Sequence, residues 1–346
     1  MGRATIDDVA RLAKVSIKTV SRVLNREKNV RPETRERVER AIKALHYEPN
    51  PSARGLAGRR AFVIGLLYDN PSASYVTSIQ AGALSACRAA QYELLIHPCS
   101  YRDRQLAEDI RRLHRQSKAD GFLITPPLSD VESFIADLEA NGVPFVLISP
   151  GDRSRKSRSV FTNDRPVCAE MVRHLAGLGH RRIAFIKGHP DHKAVGERYL
   201  GYRDGLRSCE LKLDRELVRQ GLNTFESGVS CARELLATTS PPSAIFAAND
   251  EMAAGALRAA LELGMRLPNE LSVAGFDDIP LASQTYPSLT TISQPMGAMA
   301  EQASRLLLSQ LRAEPENQEL IELPSLIRLR ESTAPPKARS RRHAGR

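Results

Sequence analysis

Several things missing from this 346-residue chain each exclude a class of protein. Five cysteines (Cys87, Cys99, Cys168, Cys209 and Cys231) are too few and too scattered for a disulfide framework, and no C-x-x-C pair occurs. Reduced, mostly buried thiols are expected. No apolar run approaches the length of a membrane span. The opening residues, MGRATIDDVARLA, put polar side chains where a secretory signal needs its apolar segment. A cytoplasmic protein with no membrane partner is therefore expected. There is no G-x-S-x-G, no G-x-x-x-x-G-K-[ST], no G-x-G-x-x-G after a strand and no H-E-x-x-H. Hence no enzyme activity, no catalytic residue and no cofactor is expected. His189-Pro190-Asp191-His192 is the best metal candidate, but two histidines around a proline read more readily as a plain loop, and no metal is expected.

The charge is present but unevenly spread. The net charge is +10, and residues 1–60 hold 15 Lys and Arg against 7 Asp and Glu. Residues 332–346 add five basic residues and no acidic one, so the long middle is slightly acidic, with 30 basic and 33 acidic side chains. A basic head on a near-neutral body suggests a polyanion-binding module joined to a domain with another task.

That head, residues 1–48, reads as three short helices. Thr5 stands as an N-cap with Asp8 at the capping-box spacing, and Ile6, Val9, Ala10 and Ala13 form an apolar stripe. After a turn at Lys14-Val15, Ser16 caps a second helix, VSIKTVSRVLN, and Pro32 opens a third with Val38, Ala41, Ile42 and Leu45 inward. Two helices joined by a short turn follow the helix-turn-helix plan. At about 100° per residue, Val20, Val23 and Leu24 share one face of the second helix, while Lys18, Ser21, Arg22 and Asn25 share the other. A major groove accepts such a helix: Lys18 and Arg22 suit guanine edges, and Ile17 suits a thymine methyl. Thr5, Ser16, Thr19, Ser21, Asn25 and Thr34 are short polar side chains suited to phosphate oxygens. The segment 49–60, EPNPSARGLAGRR with its preceding Glu48, is either a flexible linker or a hinge that folds on DNA and offers Leu56 as a minor-groove wedge.

From Ala61 the pattern changes to short apolar runs alternating with helical stretches. AFVIGLL, YELLIHP, GFLIT and PFVLIS form one series; RIAFIKG, AIFAAN and LSVAGF form another. The expected fold class is α/β, two doubly wound lobes of parallel sheet, with a small-molecule site beyond the carboxyl ends of the strands. Thr125, Ser149, Asn249 and Asp277 follow strands, Arg198 lies after RIAFIKG, and Gln294 lies at a crossover between lobes. Amides and carboxylates suit the vicinal hydroxyls of a sugar. Asp277, in Gly-Phe-Asp-Asp, also fits a plain turn.

TIDDVARLAKVSIKTVSRVLN and VRPETRERVERAIKALHYEPNPSARGLAGRR, followed by LGHRRIAFIKG, ERYLGYRDGL, PSAIFAANDEMAAGALRAALELGMRLPNELSVAGFDD, PSLTTISQP and LIRLREST, resemble the lactose-repressor/galactose-repressor (LacI/GalR) family of bacterial transcription regulators. The resemblance runs to about residue 333. It implies a periplasmic-binding-protein-like sensor over 61–333, crossed three times by the chain, and a homodimer on a pseudo-palindromic operator. It also implies base reading by Ile17, Lys18 and Arg22, and hinge contacts in the minor groove by Ala53, Arg54 and Leu56. For the effector it implies binding or framing by Arg198, Asn249, Asp277 and Gln294, with Tyr75, Thr125, Phe161 and Asn223 lining the pocket. Lys14 departs from the family's turn glycine, Arg31 from its better N-caps, and Phe161-Thr162-Asn163-Asp164 from the commoner Asp-Asn. The expected function is a repressor of carbohydrate uptake or breakdown that responds to a sugar. A regulator with a purine-type corepressor is the alternative. A secreted sugar carrier conflicts with the basic head, and a nucleoid-type binder leaves the large body unexplained. The tail, 334–346, is Pro- and Arg-rich and is expected to be disordered. It has no leucine heptads to build a tetramer.

Overall fold

A computed structural model describes residues 4–24, 30–47, 60–117, 119–152, 157–314 and 319–337. The chain divides into two compact units, Met1–Phe62 and Val63–Arg346.

In the first unit, α1 (Ile6–Ala13), α2 (Ile17–Leu24) and α3 (Pro32–Ala44) enclose a small core of Val9, Ala10, Ala13, Val20, Val23, Val38 and Ala41. Each helix start has a local cause. The Thr5 and Asp8 side chains and backbones bond reciprocally in a capping box at α1. Ser16 Oγ accepts from Thr19 N at 3.2 Å at α2, and Pro32 opens α3 after an Arg31 that makes no side-chain cap. Lys14 ends α1 in the left-handed region at φ 52°, a conformation that favours glycine.

The second unit holds two six-stranded sheets. The strands are β1 (Val63–Tyr68), β2 (Glu93–Pro98), β3 (Gly121–Ile124), β4 (Phe145–Ile148), β5 (Ser159–Thr162), β6 (Ile183–Lys187), β7 (Val218–Gln220), β8 (Ala244–Ala247), β9 (Ser272–Asp277), β10 (Thr290–Ser293), β11 (Leu320–Leu323) and β12 (Leu326–Arg328). The first sheet runs β11-β5-β4-β3-β1-β2 and the second β12-β10-β9-β8-β6-β7; every pairing is parallel except β12 on β10. The chain passes between lobes after β5, after β10 and between β11 and β12. Central strands such as Phe145–Ile148 and Ala244–Ala247 are buried along their whole length, as sheets covered on both faces require.

In the first lobe, α5 (Leu106–Ser117) and α6 (Glu132–Ala140) cover one face over Leu67, Phe122, Ile124, Phe145 and Leu147. On the other, α4 (Ala73–Ala89) packs against α11 (Met296–Leu311), the helix that brings the chain back. A Cβ on Gly82 of α4 would lie 2.0 Å from the Gly297 carbonyl oxygen, so only glycine permits this approach. The second lobe gathers α7 (Asp164–Gly177), α8 (Ala194–Ser208), α9 (Phe225–Leu236) and α10 (Asp250–Glu262) around one core that includes Phe185, Tyr202, Phe246 and Phe276. Four short strands, β5, β7, β10 and β11, were not separable as apolar runs; Val-Arg-Gln and Leu-Ile-Glu-Leu are too brief or too mixed to announce themselves.

The tail requires a correction. Its first residues are docked rather than disordered: Ala334 O accepts from His180 Nε2 at 3.0 Å and from Ser272 Oγ at 3.1 Å, and Lys337 N donates to Asn269 O at 3.2 Å. That carbonyl fixes the His180 proton on Nε2, leaving Nδ1 to accept from Ser243 Oγ at 2.9 Å. A fully buried imidazole with partners on both nitrogens thus anchors the chain to residue 337. Arg and Pro composition alone does not reveal such an anchor. Residues 338–346 lie outside the described residues.

Candidate functional site

The outer edge of the first unit carries Ile17, Lys18 and Arg22 exposed on α2, with Ile17 at 46% exposure although it is a large apolar side chain. Thr5 and Ser16 are also exposed, and Thr19, Ser21 and Thr34 are half-buried. Some of their donors are already engaged. Thr5 gives both its hydroxyl (2.7 Å) and its N–H (2.9 Å) to Asp8 Oδ2, and these bonds hold the Asp8 carboxyl below its usual range. As folded, Thr5 has no donor left for a phosphate oxygen. Ser16 Oγ and Thr19 Oγ1 share one bond at 2.9 Å, which leaves one hydroxyl proton of the pair free. Asn25, Ala53, Arg54 and Leu56 lie outside the described residues.

In the second unit, a cleft opens between the lobes at the carboxyl ends of their strands. Tyr75, Ser149, Arg198, Asn223, Asn249, Asp277 and Gln294 all line it. Thr125 and Phe161 do not. The Thr125 hydroxyl, buried at the end of β3, donates to Leu67 O at 3.2 Å, and Phe161 is buried on β5. The Thr125 hydroxyl thus turns to the neighbouring strand rather than to the cleft.

Arg198 is the electrostatic centre. Its Nε donates to Asp164 Oδ2 at 3.0 Å; its Nη1 donates to Ala248 O at 2.5 Å and approaches Asp277 Oδ1 at 3.4 Å. The guanidinium lies 3.6 Å from the Phe276 ring centre, a cation–π contact. Asp164 also accepts from the Thr162 hydroxyl, so both of its oxygens are engaged. Burial, opposed by Arg198 and reinforced by Asp164, pushes the Asp277 carboxyl up to about 7. Its backbone sits at φ 111°, followed by Asp278 at φ 57°. This strained corner is held by Asp250, which accepts from Ile279 N at 2.9 Å, and by Arg330, which donates to Asp278 at 2.6 Å. Asp277 therefore ends β9 with a left-handed backbone and also borders the cleft.

The amides serve the walls. Asn249 caps α10 through Met252 N at 2.9 Å and donates to Asn223 O at 3.0 Å. Asn223, at φ 63°, accepts from His189 N at 3.1 Å. By contrast, Tyr75 Oη, Ser149 Oγ and Gln294 Oε1 are buried with no hydrogen-bond partner. Burial, then the nearby Asp277, also pushes the Tyr75 hydroxyl well up, so it stays neutral.

Sequence reasoning missed Asn70, Ser72, Pro126 and His192 in the lining. Asn70 lies two residues past the end of β1, close enough to the strand end for the strand-end rule to have found it. Asn70 Oδ1 accepts from Ser72 N at 2.9 Å, and Ser72 caps α4 through Tyr75 N, which sets the Tyr75 position. His192 appeared only as a metal candidate. Among the described residues no group of three His, Cys, Asp or Glu side chains is placed to hold a metal ion. Burial, then His189, pushes His192 down to about 4, so it is neutral at physiological pH.

The lobes also touch at the mouth of the cleft. Asp130 of the first lobe accepts from Gly151 N at 2.7 Å and from Lys193 N of the second at 3.0 Å. Tyr101 Oη donates to Asp191 at 2.5 Å, while Arg102 bonds Tyr101 Oη at 2.8 Å. A Cβ on Gly151 would lie 2.1 Å from Lys193 Cβ.

A helix-turn-helix unit followed in sequence by a two-lobed body with a cleft of this geometry has known counterparts. Residues 5–50 match the family described as bacterial regulatory proteins, lacI family, and residues 172–333 match a periplasmic binding protein-like domain. The HTH-type transcriptional repressor PurR of Erwinia tasmaniensis is 35% identical over 94% of this chain and 96% of its own. The chain belongs to the lacI family. Among solved structures, the transcriptional regulator CelR–cellobiose complex is similar at 31% identity and a TM-score of 0.74, covering 96% of this chain and 100% of that one. The lac repressor dimer bound to operator and the anti-inducer ONPF reaches a TM-score of 0.77 at 28% identity, with the same coverage. These lacI-family relatives are transcriptional regulators, not enzymes. Among the described residues no helix is long and apolar enough to cross a membrane.

Proposed function

We propose that this lacI-family regulator is a cytoplasmic homodimeric repressor of carbohydrate genes, which grips a pseudo-palindromic operator through α2 and is governed by a neutral, hydroxyl-rich effector in the interlobe cleft. The DNA role rests on Ile17, Lys18 and Arg22 standing exposed on one face of α2, with Ser16, Thr19, Ser21 and Thr34 flanking them as phosphate contacts. The effector class rests on one observation above the others. The buried polar atoms left without partners, Tyr75 Oη, Ser149 Oγ and Gln294 Oε1, can all accept hydrogen bonds, and only the two hydroxyls can donate. Beside them stands the Asp277 carboxylate. A ligand that satisfies this set brings several donors, as a sugar does. A flat purine gains less, since Tyr75 is the one phenyl-type ring among the described lining residues. The named cellobiose complex of a relative agrees in kind.

Effector binding to one lobe arrangement in preference to another would shift the population that reaches the operator. The test is a thermal-shift screen of the full chain against neutral mono- and disaccharides and purine bases, followed by operator titration with each hit. A sugar should raise the unfolding temperature and change operator affinity. Stabilisation by purines alone would overturn the effector reading. At the DNA edge, Lys18→Ala should alter which operator bases are preferred; a uniform loss across sequences would remove Lys18 from base reading.

A further inference from the structure

The geometry points to Asp164 as the residue that sets the charge of the effector, by occupying Arg198 so that the cleft takes neutral polyols and excludes their phosphorylated and carboxylated forms. This rests on the interlobe cleft being the effector site, as proposed above. A guanidinium in a binding cleft is ordinarily an anion receptor, because two parallel N–H groups match the oxygens of a carboxylate or phosphate. Each such grip uses Nη2 together with either Nε or Nη1. Here Nε is committed to Asp164 at 3.0 Å and Nη1 to Ala248 O and Asp277. Neither edge is open to a bidentate oxyanion.

The local charge points the same way. Asp164 is 3% exposed and Arg198 8%, so their charges are poorly screened by solvent. Among the described residues lining the cleft, Arg198 is the one that is cationic at neutral pH, because His192 stays neutral. Two carboxyls, Asp164 and Asp277, face this one cation. An arriving phosphate would meet a guanidinium already compensated by Asp164, with the Asp277 carboxyl on its other side. Asp164 does not border the cleft itself and has both oxygens engaged, so it acts through Arg198 and is a positioning residue.

The experiment needs no knowledge of the natural effector, because inorganic phosphate serves as the anionic probe. Full-length wild type, Asp164→Asn and Asp164→Glu are titrated with sodium phosphate by calorimetry at constant ionic strength. In each background Arg198→Met identifies the signal that belongs to the cleft, separating it from phosphate bound by the basic head. Wild type should show no Arg198-dependent phosphate binding. Asp164→Asn should gain a saturable site at least tenfold tighter than any in wild type, and Asp164→Glu should lose it again. Arg198-dependent phosphate binding by wild type overturns the inference even if the variants fold poorly. A folded Asp164→Asn that gains none also overturns it. These outcomes are independent of the sugar screen: a latent anion site unmasked by Asp164→Asn in a protein that no sugar stabilises would leave the charge gate standing and the effector reading refuted.

Discussion

Replacing Arg198 by methionine tests whether the three-residue charge cluster organises the cleft. Methionine keeps much of the stem volume but removes the charge, and it leaves Asp164 and Asp277 buried side by side. Asp164 is 3% exposed, so it cannot recover its hydration by a small rearrangement. Breaking a buried ion pair by removing one partner costs about 3–5 kcal/mol, far above the cost of losing a surface pair. At roughly 2–4 °C per kcal/mol for a body of this size, the unfolding temperature of the second unit should fall by about 10 °C at pH 7.5. The decisive comparison adds Asp164→Asn and Asp277→Asn to Arg198→Met. If uncompensated charge causes the loss, the triple variant should recover more than half of it; if lost packing on Phe276 causes it, nothing returns. Calorimetry on the full chain, following the larger transition, gives both values. An Arg198→Met protein within 1 °C of wild type would show that solvent reaches the cluster and would refute the electrostatic account of the cleft.

Three further outcomes follow from the same geometry. Because the folded Asp277 carboxyl titrates near 7, well above its ordinary 3.8, the native state holds a proton that the unfolded chain has lost. The associated stability is complete below pH 4 and disappears as the pH rises to about 7, so Asp277→Asn should gain on wild type across that window in urea titrations; parallel curves would refute the shift. Gly151→Ala forces its new methyl, 2.1 Å from Lys193 Cβ, to part the lobes, so the Lys193 amide now held by Asp130 should exchange about tenfold faster while Phe185 in β6 keeps its protection. Equal exchange would mean that the mouth contact does not hold the lobes together. Lys14→Gly removes a left-handed lysine at φ 52° and, set against the chain entropy of glycine, should stabilise the first unit by about 0.5–1 kcal/mol, read from hydrogen exchange in α1 and α2. Unchanged or weaker protection would place the strain elsewhere.

What the sequence could reveal depended on how local the cause was. The capping box at Thr5 and Asp8, the Ser16 cap and the inward set Val20, Val23 and Leu24 are decided within a few residues, and periodicity exposes them. The strand-end rule likewise reached Ser149, Asn249 and Asp277, because a parallel strand delivers the residue after it to the same edge of the sheet. It failed at Thr125 for a reason no strand pattern carries: the hydroxyl there finds Leu67 O, 58 positions away, and turns from the cleft to satisfy it. Asp164 shows the same limit more sharply. In sequence it is one acid in a Thr-Asn-Asp run that departs from a familiar order. Its meaning comes only when α8 brings Arg198, 34 residues on, to within 3.0 Å of its oxygen. The docked Ala334 was hidden for the same reason, since its partners are His180 and Ser272 in the second lobe. Local patterns therefore show which side chains reach the cleft edge, and long-range pairing decides which of them have hydrogen-bonding capacity left for a ligand. In this cleft the amides that look most like ligands, Asn249 and Asn223, are largely committed to the walls, and the orphaned atoms of Tyr75, Ser149 and Gln294 are the ones still to be satisfied.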